Sequence, residues 1–275
     1  MSTQDLNAAR LRAAHIVPLN AEQGGCGPAL VLLHGWGMNL RVFDALCARL
    51  QTRFTTWAID LPGHGRSPWR DGLTQEDLLA SVRAVLPPRP LLLGWSLGGQ
   101  VALRLGAESV VQARALLLLH STPRFVRSEE WAWGLAPEVL QGFASRLGRD
   151  ARQTVFDFVE LQVRGSAAAG STLAQLRAAL QEQGMAQAPA LQLGLDWLRD
   201  QDLRTLARSV SLPALVVGGQ YDRVTPPQAQ RALAGLLPDA RHLELRRAGH
   251  ATFLSHLDEL MPALDAFLDP WSAAA

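Results

Sequence analysis

The chain has 275 residues, 48% of them hydrophobic and 19% charged, with a formal net charge of +1. That much apolar material supports a large core and excludes global disorder, while the near-neutral charge argues against a dedicated nucleic-acid binder. All 26 basic residues are arginines, which excludes Schiff-base lysine chemistry and a P-loop lysine.

Short apolar runs recur along the chain at Leu30–Leu33, Thr55–Ile59, Leu91–Leu93, Ala115–Leu119, Ala214–Val217 and His242–Leu245. Continuous apolar runs of this length read as strands buried on both faces, the signature of a parallel sheet. Helical patterns lie between them at Val42–Leu50, Thr74–Val85, Gly98–Gly106 and Pro227–Leu236. This alternation predicts an α/β protein with a mostly parallel, doubly wound sheet. It breaks from about Thr122 to Leu206, where helical periodicity alone is found, at Pro137–Leu147, Asp150–Val163, Thr172–Gln183 and Ala190–Arg199. Gly165–Gly170 (GSAAAG) reads as a turn. The organisation expected is a core of 1–121 and 207–275 with an all-helical lid over 122–206.

Met1–His15 is polar and lacks an apolar signal core, and no run approaches the roughly 18 apolar residues of a membrane span. A cytoplasmic protein, neither membrane-bound nor bound to nucleic acid, is expected. The two cysteines, Cys26 and Cys47, form no C-x-x-C pair. A zinc ribbon and a redox dithiol are thereby excluded, and idle thiols in a reducing compartment are expected.

Gly94-Trp95-Ser96-Leu97-Gly98 is G-x-S-x-G placed after a strand and before a helix. A sharp turn there lifts the serine hydroxyl over the carboxyl edge of the sheet. A serine nucleophile needs a base and an acid that orients it. Asp222, in GGQYD, and His250, in RRAGH, both follow strands on that same edge. Competing groups are worse placed: Asp202 on the insert, His242 opening a strand and His256 in the last helix. An oxyanion hole also needs backbone donors. Leu97 N–H, next to the nucleophile, is one; Trp36 N–H in His34-Gly35-Trp36-Gly37 is the other. His64, in the glycine-rich DLPGHGRS loop, is read as structural because a base is already supplied.

Together HGWG, DLPGHGRS, GWSLGG, GQYDRVTP and AGHATF resemble the α/β-hydrolase superfamily, from about Leu30 to Leu268. Within it, LVLLHGWGMN, LLLGWSLGGQVAL and the insert STPRFVRSEEWAWGLAPEVLQGFASRLGRDARQTVFDFVELQ resemble the pimeloyl-[acyl-carrier protein] methyl ester esterases of biotin synthesis. The resemblance implies an α/β-hydrolase fold, a Ser96–Asp222–His250 triad, and Trp36 and Leu97 as oxyanion and substrate contacts. It further implies a pocket lined by Phe158, Val159, Glu160, Leu161 and Gln162. No metal or organic cofactor is implied. The implied partner is an acyl-carrier protein, for which Arg146, Arg149 and Arg152, spaced by three, are candidate contacts on a monomer. Arg127, Arg164 and Arg177 would extend the patch. The insert from Pro123 to Arg204 is not basic overall, with nine Arg against ten Asp or Glu. The residues alone leave open a short-ester or lactone hydrolase, a C–C bond hydrolase, a perhydrolase, or a catalytically idle binding protein on the same scaffold.

Overall fold

The computed structural model describes residues 15–272. Apart from His15, the polar N-terminal segment lies outside this range. Among the described residues seven strands form one sheet: β1 (Ala21–Gly24), β2 (Ala29–Leu33), β3 (Thr55–Ile59), β4 (Leu91–Trp95), β5 (Ala115–Leu119), β6 (Ala214–Gly219) and β7 (Ala240–Leu245). Their order is β1-β3-β2-β4-β5-β6-β7. All neighbours are parallel except β1 and β3. Every residue of β4, β5 and β6 is buried, as are the last four of β2. Helices on both faces bury such strands and demand continuous apolar sequence.

β1 has no counterpart in the expected strands. Its sequence AEQG carries no apolar run, and it is held as an edge strand by backbone pairing from Ala21↔Ile59 to Gly24↔Thr56. β3 and β5 coincide with the apolar runs that marked them, and β2, β4, β6 and β7 extend one or two residues beyond theirs.

The chain winds from β2 outward to β3 and then returns to the other side of β2 as β4. Ligands of open parallel sheets bind at the carboxyl ends of strands flanking such a reversal. Here the loop after β2 and the turn after β4 meet. A Cβ added to Gly35 would stand 3.2 Å from Ser96 Cβ.

The core helices are α1 (Asp44–Leu50), preceded by a 3-10 turn at Leu40–Phe43, α2 (Gln75–Val85), α3 (Leu97–Gly106), α9 (Pro227–Leu236), α10 (Thr252–Ser255) and α11 (Leu257–Ser272). Thr74 caps α2 reciprocally with Asp77, which satisfies donors that every helix start leaves free. Between β5 and β6 come α4 (Pro137–Leu147), α5 (Ala151–Val163), α6 (Ala169–Gln183), α7 (Ala188–Asp200) and α8 (Arg204–Ser209). Pro137 opens α4, and the Asp150 side chain accepts Gln153 N–H to start α5. α4 packs on α5 and α7, and α5 on α6. The turn expected over Gly165–Gly170 is shorter than its glycines suggest: Gly165 has φ +87°, but α6 has begun by Ala169. The expected lid boundary at 206/207 falls inside α8.

Candidate active site

Ser96 sits between β4 and α3 with φ 57° and ψ −117°. Non-glycine residues are rarely found there, and the surrounding bonds hold it in place. Ser96 N–H donates to Leu119 O at 2.9 Å, while Ser96 O accepts from Gly99 N and Ser121 Oγ. The glycines of the elbow are needed for close approach. A Cβ on Gly94 would lie 2.2 Å from Gly98 O, and one on Gly98 would lie 2.1 Å from Leu33 O.

Asp222 lies three residues beyond β6 and is buried. Its Oδ1 accepts the N–H groups of Val224 and Thr225, each at 2.9 Å. Its Oδ2 accepts His250 Nδ1–H at 2.8 Å, His120 Nδ1–H at 2.8 Å, Thr225 Oγ1–H at 2.8 Å and Gln230 Nε2–H at 3.0 Å. Burial by itself pushes the carboxyl up, but the adjacent His250 and the donors from His120 and His250 prevail, holding it below the usual carboxylate range. Asp222 is therefore an anion with fixed bearings.

His250 follows β7 and is completely buried. Its backbone N–H donates to Gln162 O at 2.9 Å, and its carbonyl accepts Trp95 Nε1–H at 2.8 Å. The residue before Ser96 and helix α5 thus both hold the His250 loop. With Nδ1–H committed to Asp222, Nε2 is left as the basic nitrogen. His250 Nε2 and Ser96 Oγ are both buried without a hydrogen-bond partner. A nucleophilic oxygen and a base are the groups expected to be kept free of other bonds.

Leu97 opens α3, so its N–H belongs to the helix-start donors with no intrahelical acceptor. Trp36 is buried in the loop after β2 and donates Nε1–H to Leu191 O of α7 at 2.8 Å. The Phe158 ring meets Trp36 edge-on at 5.0 Å, and Phe143 meets Phe158 edge-on at 5.6 Å. Gly194 lets α7 lie against this wall: a Cβ there would stand 2.6 Å from Trp36 Cδ1 and 3.5 Å from Leu97 Cδ2.

The α5 segment 158–162 does not act as one unit. Phe158, Val159 and Gln162 are buried, Leu161 is half-buried, and Glu160 is exposed and paired with Arg177 at 2.8 Å. The helical period turns Glu160 away from the wall, so contiguity in sequence does not make it a lining residue. The Arg146, Arg149 and Arg152 spacing does not make a stripe on one helix either. Arg146 is in α4, Arg149 in the connecting turn and Arg152 in α5. Arg146 lies 3.8 Å from Asp157 and stacks over Phe143, while Arg152 stacks over Phe156.

Other singled-out groups lie elsewhere. Asp202 pairs with Arg124 and Arg204. His242 is half-buried in β7, and His256 bonds to Ser255. His64 stacks near His34 at 5.1 Å and donates Nδ1–H to Pro62 O. Cys26 and Cys47 are both free thiols, Cys26 exposed and Cys47 buried. Sequence reasoning missed His120. Its signal was a polar residue closing the run ALLLL at the carboxyl edge, the same place from which Ser96 was read. His120, Asp222 and His250 offer nitrogen and oxygen atoms within 4.8 Å of one another, but those atoms are already committed to hydrogen bonds within the set.

A serine on a strained elbow and a hydrogen-bonded Asp–His pair thus lie at the carboxyl edge of one mostly parallel sheet, the groups that a hydrolase of the serine type requires. Residues 28–257 match the family described as alpha/beta hydrolase fold. The chain belongs to that family and, within it, to the pimeloyl-[acyl-carrier protein] methyl ester esterases. It is 42% identical to the enzyme of that name from Xanthomonas axonopodis over 247 residues, covering 89% of this chain and 96% of that one. It is 41% identical to the one from Nitrosomonas europaea, covering 90% and 98%. Solved structures support the fold: an esterase from Exiguobacterium antarcticum (TM-score 0.82, 20% identity, 91% and 95% covered) and the enol-lactonase from Burkholderia xenovorans (TM-score 0.79, 23% identity, 91% and 96% covered).

Proposed function

We propose that this chain is a serine carboxylesterase that removes the methyl group from a pimeloyl-[acyl-carrier protein] methyl ester in biotin synthesis, releasing methanol. The observation that carries the reading is the identity of about two residues in five to esterases of that name, sustained over nine-tenths of the chain. The Asp222–His250 pair, at 2.8 Å, supplies the chemistry.

His250 Nε2 takes the proton of Ser96 as Ser96 Oγ attacks the ester carbonyl. Leu97 and Trp36 N–H groups receive the developing oxyanion, each donor lowering the barrier by about 3 kcal/mol. His250 returns the proton to the departing methoxide, giving methanol and an acyl-serine. Water, deprotonated by His250, then attacks the acyl carbon, and His250 returns that proton to Ser96 Oγ as the acid departs. Asp222 holds the imidazole tautomer and stabilises its cation throughout.

Residues 122–206 serve as the lid. Trp36, Phe158 and Phe143 give the reacting centre an apolar wall that suits a methylene chain and a methyl ester. The carrier protein stays outside, so its thioester is spared, with Arg146, Arg149 and Arg152 as the lid arginines facing it. The protein works as a cytoplasmic monomer; among the described residues no helix is long and apolar enough to cross a membrane.

The test is a mass spectrum of pimeloyl-carrier-protein methyl ester after exposure to the enzyme, with Ser96→Ala alongside. Loss of the methyl group with the thioester intact, in wild type alone, is expected. An untouched substrate alongside cleavage of simple short esters would refute the carrier-linked substrate and leave the triad standing.

A further inference from the structure

His120 closes β5 at the same edge as Ser96, and nothing in the triad chemistry requires it. It adopts φ 49°, a left-handed conformation uncommon for a non-glycine residue. Its backbone N–H is held by Val217 O at 2.7 Å, and its side chain is completely buried. A strained, buried, polar residue persists only where its surroundings over-determine it.

Both ring nitrogens are engaged, and their partners fix the tautomer. Thr252 N–H points at Nε2 at 3.2 Å, and Thr252 Oγ1 lies 2.8 Å from it. A backbone N–H only donates, so Nε2 is the acceptor and Nδ1 carries the proton. That Nδ1–H donates to Asp222 Oδ2, the same oxygen that receives Nδ1–H of His250. The two imidazoles meet edge-on at 5.4 Å. Burial pushes His120 below the ordinary histidine value, consistent with a neutral ring. Thr252 lies two residues beyond His250, at the start of α10. One ring therefore touches the loop that carries the acid and the loop that carries the base.

We propose that His120 is a positioning residue for the ester-hydrolysis machinery, clamping the Asp222 loop to the His250 loop and fixing the carboxylate oxygen on which His250 is aligned. The proposal rests on the serine-hydrolase reading above. His120 exchanges no proton during turnover. Its neutral N–H keeps Asp222 an oriented anion while His250 alternates between imidazole and imidazolium. Misplacing a catalytic base by a fraction of an ångström is costly to rate without weakening substrate binding.

The experiment compares His120→Leu and His120→Asn with wild type. It measures kcat and KM on a chromogenic short-chain ester and the rate of Ser96 labelling by a fluorophosphonate. His120→Leu removes the donor at similar volume; kcat and the labelling rate should fall about ten-fold or more with KM little changed. Asparagine Nδ2 stands where imidazole Nδ1 stands and can still donate to Asp222. His120→Asn should return to within about three-fold of wild type. Equal rates for His120→Leu and wild type would overturn the proposal, as would an asparagine variant no faster than the leucine one. If His120→Leu does not fold, Thr252→Val replaces it: the backbone N–H that fixes the tautomer stays, but the hydroxyl bond that ties the ring to the His250 loop is lost, and an unchanged kcat would overturn the clamp. A wild type that neither labels nor hydrolyses any ester would instead sink the hydrolase reading beneath it.

Discussion

The sheet edge and the helical insert between β5 and β6 are built by different forces. At the edge, Asp222 alone accepts six hydrogen bonds, and Ser96, His120 and His250 are each held by buried backbone or side-chain bonds. In the insert, Val155, Phe158, Val159 and Leu191 are buried, whereas polar groups such as Glu160 and Arg177 meet at the exposed surface. Hydrogen bonds are directional, so the edge fixes atoms to fractions of an ångström. Apolar packing fixes volume and leaves the outer face free to vary. Chemistry that depends on one oxygen's bearing belongs on the edge, and a wall that only has to be apolar belongs to the insert.

The sharpest way to break this contrast is Asp222→Asn. The amide keeps the shape but places an N–H among donors that all need an acceptor, and it favours the wrong His250 tautomer. kcat for ester hydrolysis should fall by about 10³- to 10⁴-fold with the fold retained; a loss smaller than ten-fold would show that the carboxylate is not the orienting group.

Gly194→Ala tests where edge and insert touch. The added methyl would press on Trp36, whose ring is pinned by its bond to Leu191 O, so loop and tryptophan must shift together. kcat/KM on a chromogenic ester should drop roughly ten-fold, since small displacements of positioned groups are costly. Wild-type kinetics would mean that Trp36 has no part in the reacting centre.

A stability measurement sharpens the same comparison. Burial, and then the neighbouring His34, push His64 down to about 3, and burial likewise pushes His34 and His120 below the ordinary value. Below about pH 6.5 the unfolded chain binds protons that the folded one does not, so stability present at neutral pH is lost as pH falls. Thermal midpoints should decline from about pH 6.5 toward pH 4. His64→Asn, which keeps a donor for Pro62 O but cannot titrate, should show a shallower decline. Parallel curves would assign the acid sensitivity elsewhere.

The smallest effect is expected from Glu160→Ala. It sits two residues from Phe158 but on the solvent side of α5, and its surface ion pair is worth well under about 1 kcal/mol. Activity and melting temperature should stay near wild type. A marked loss of ester turnover would place this side chain in the pocket after all.

The parts of the molecule that were legible in the sequence obey local rules. The buried strands announced themselves because burial on two faces forces uninterrupted apolar runs, as in ALLLL. The elbow was legible because only glycines tolerate the approach of Gly94 to Gly98 O and of Gly98 to Leu33 O. The starts of α2 and α4 were set by Thr74 and Pro137, whose side chains suit the first turn. Asp222 and His250 were picked out because each follows a strand at the edge where the elbow points.

What the tertiary structure decided is what no local window contains. β1 exists because β3 offers an open edge, not because AEQG favours a strand. Glu160 faces outward and Gln162 inward because α5 docks by one face of its helical period. Arg146, Arg149 and Arg152 make no stripe on one helix because a turn intervenes between α4 and α5. His120 became part of the site only when β5, the Asp222 loop and Thr252 converged, joining positions 102 and 132 residues away. Periodicity and steric demand are written residue by residue along the chain, but the bonds that aim a carboxylate arise only where distant loops close on one another.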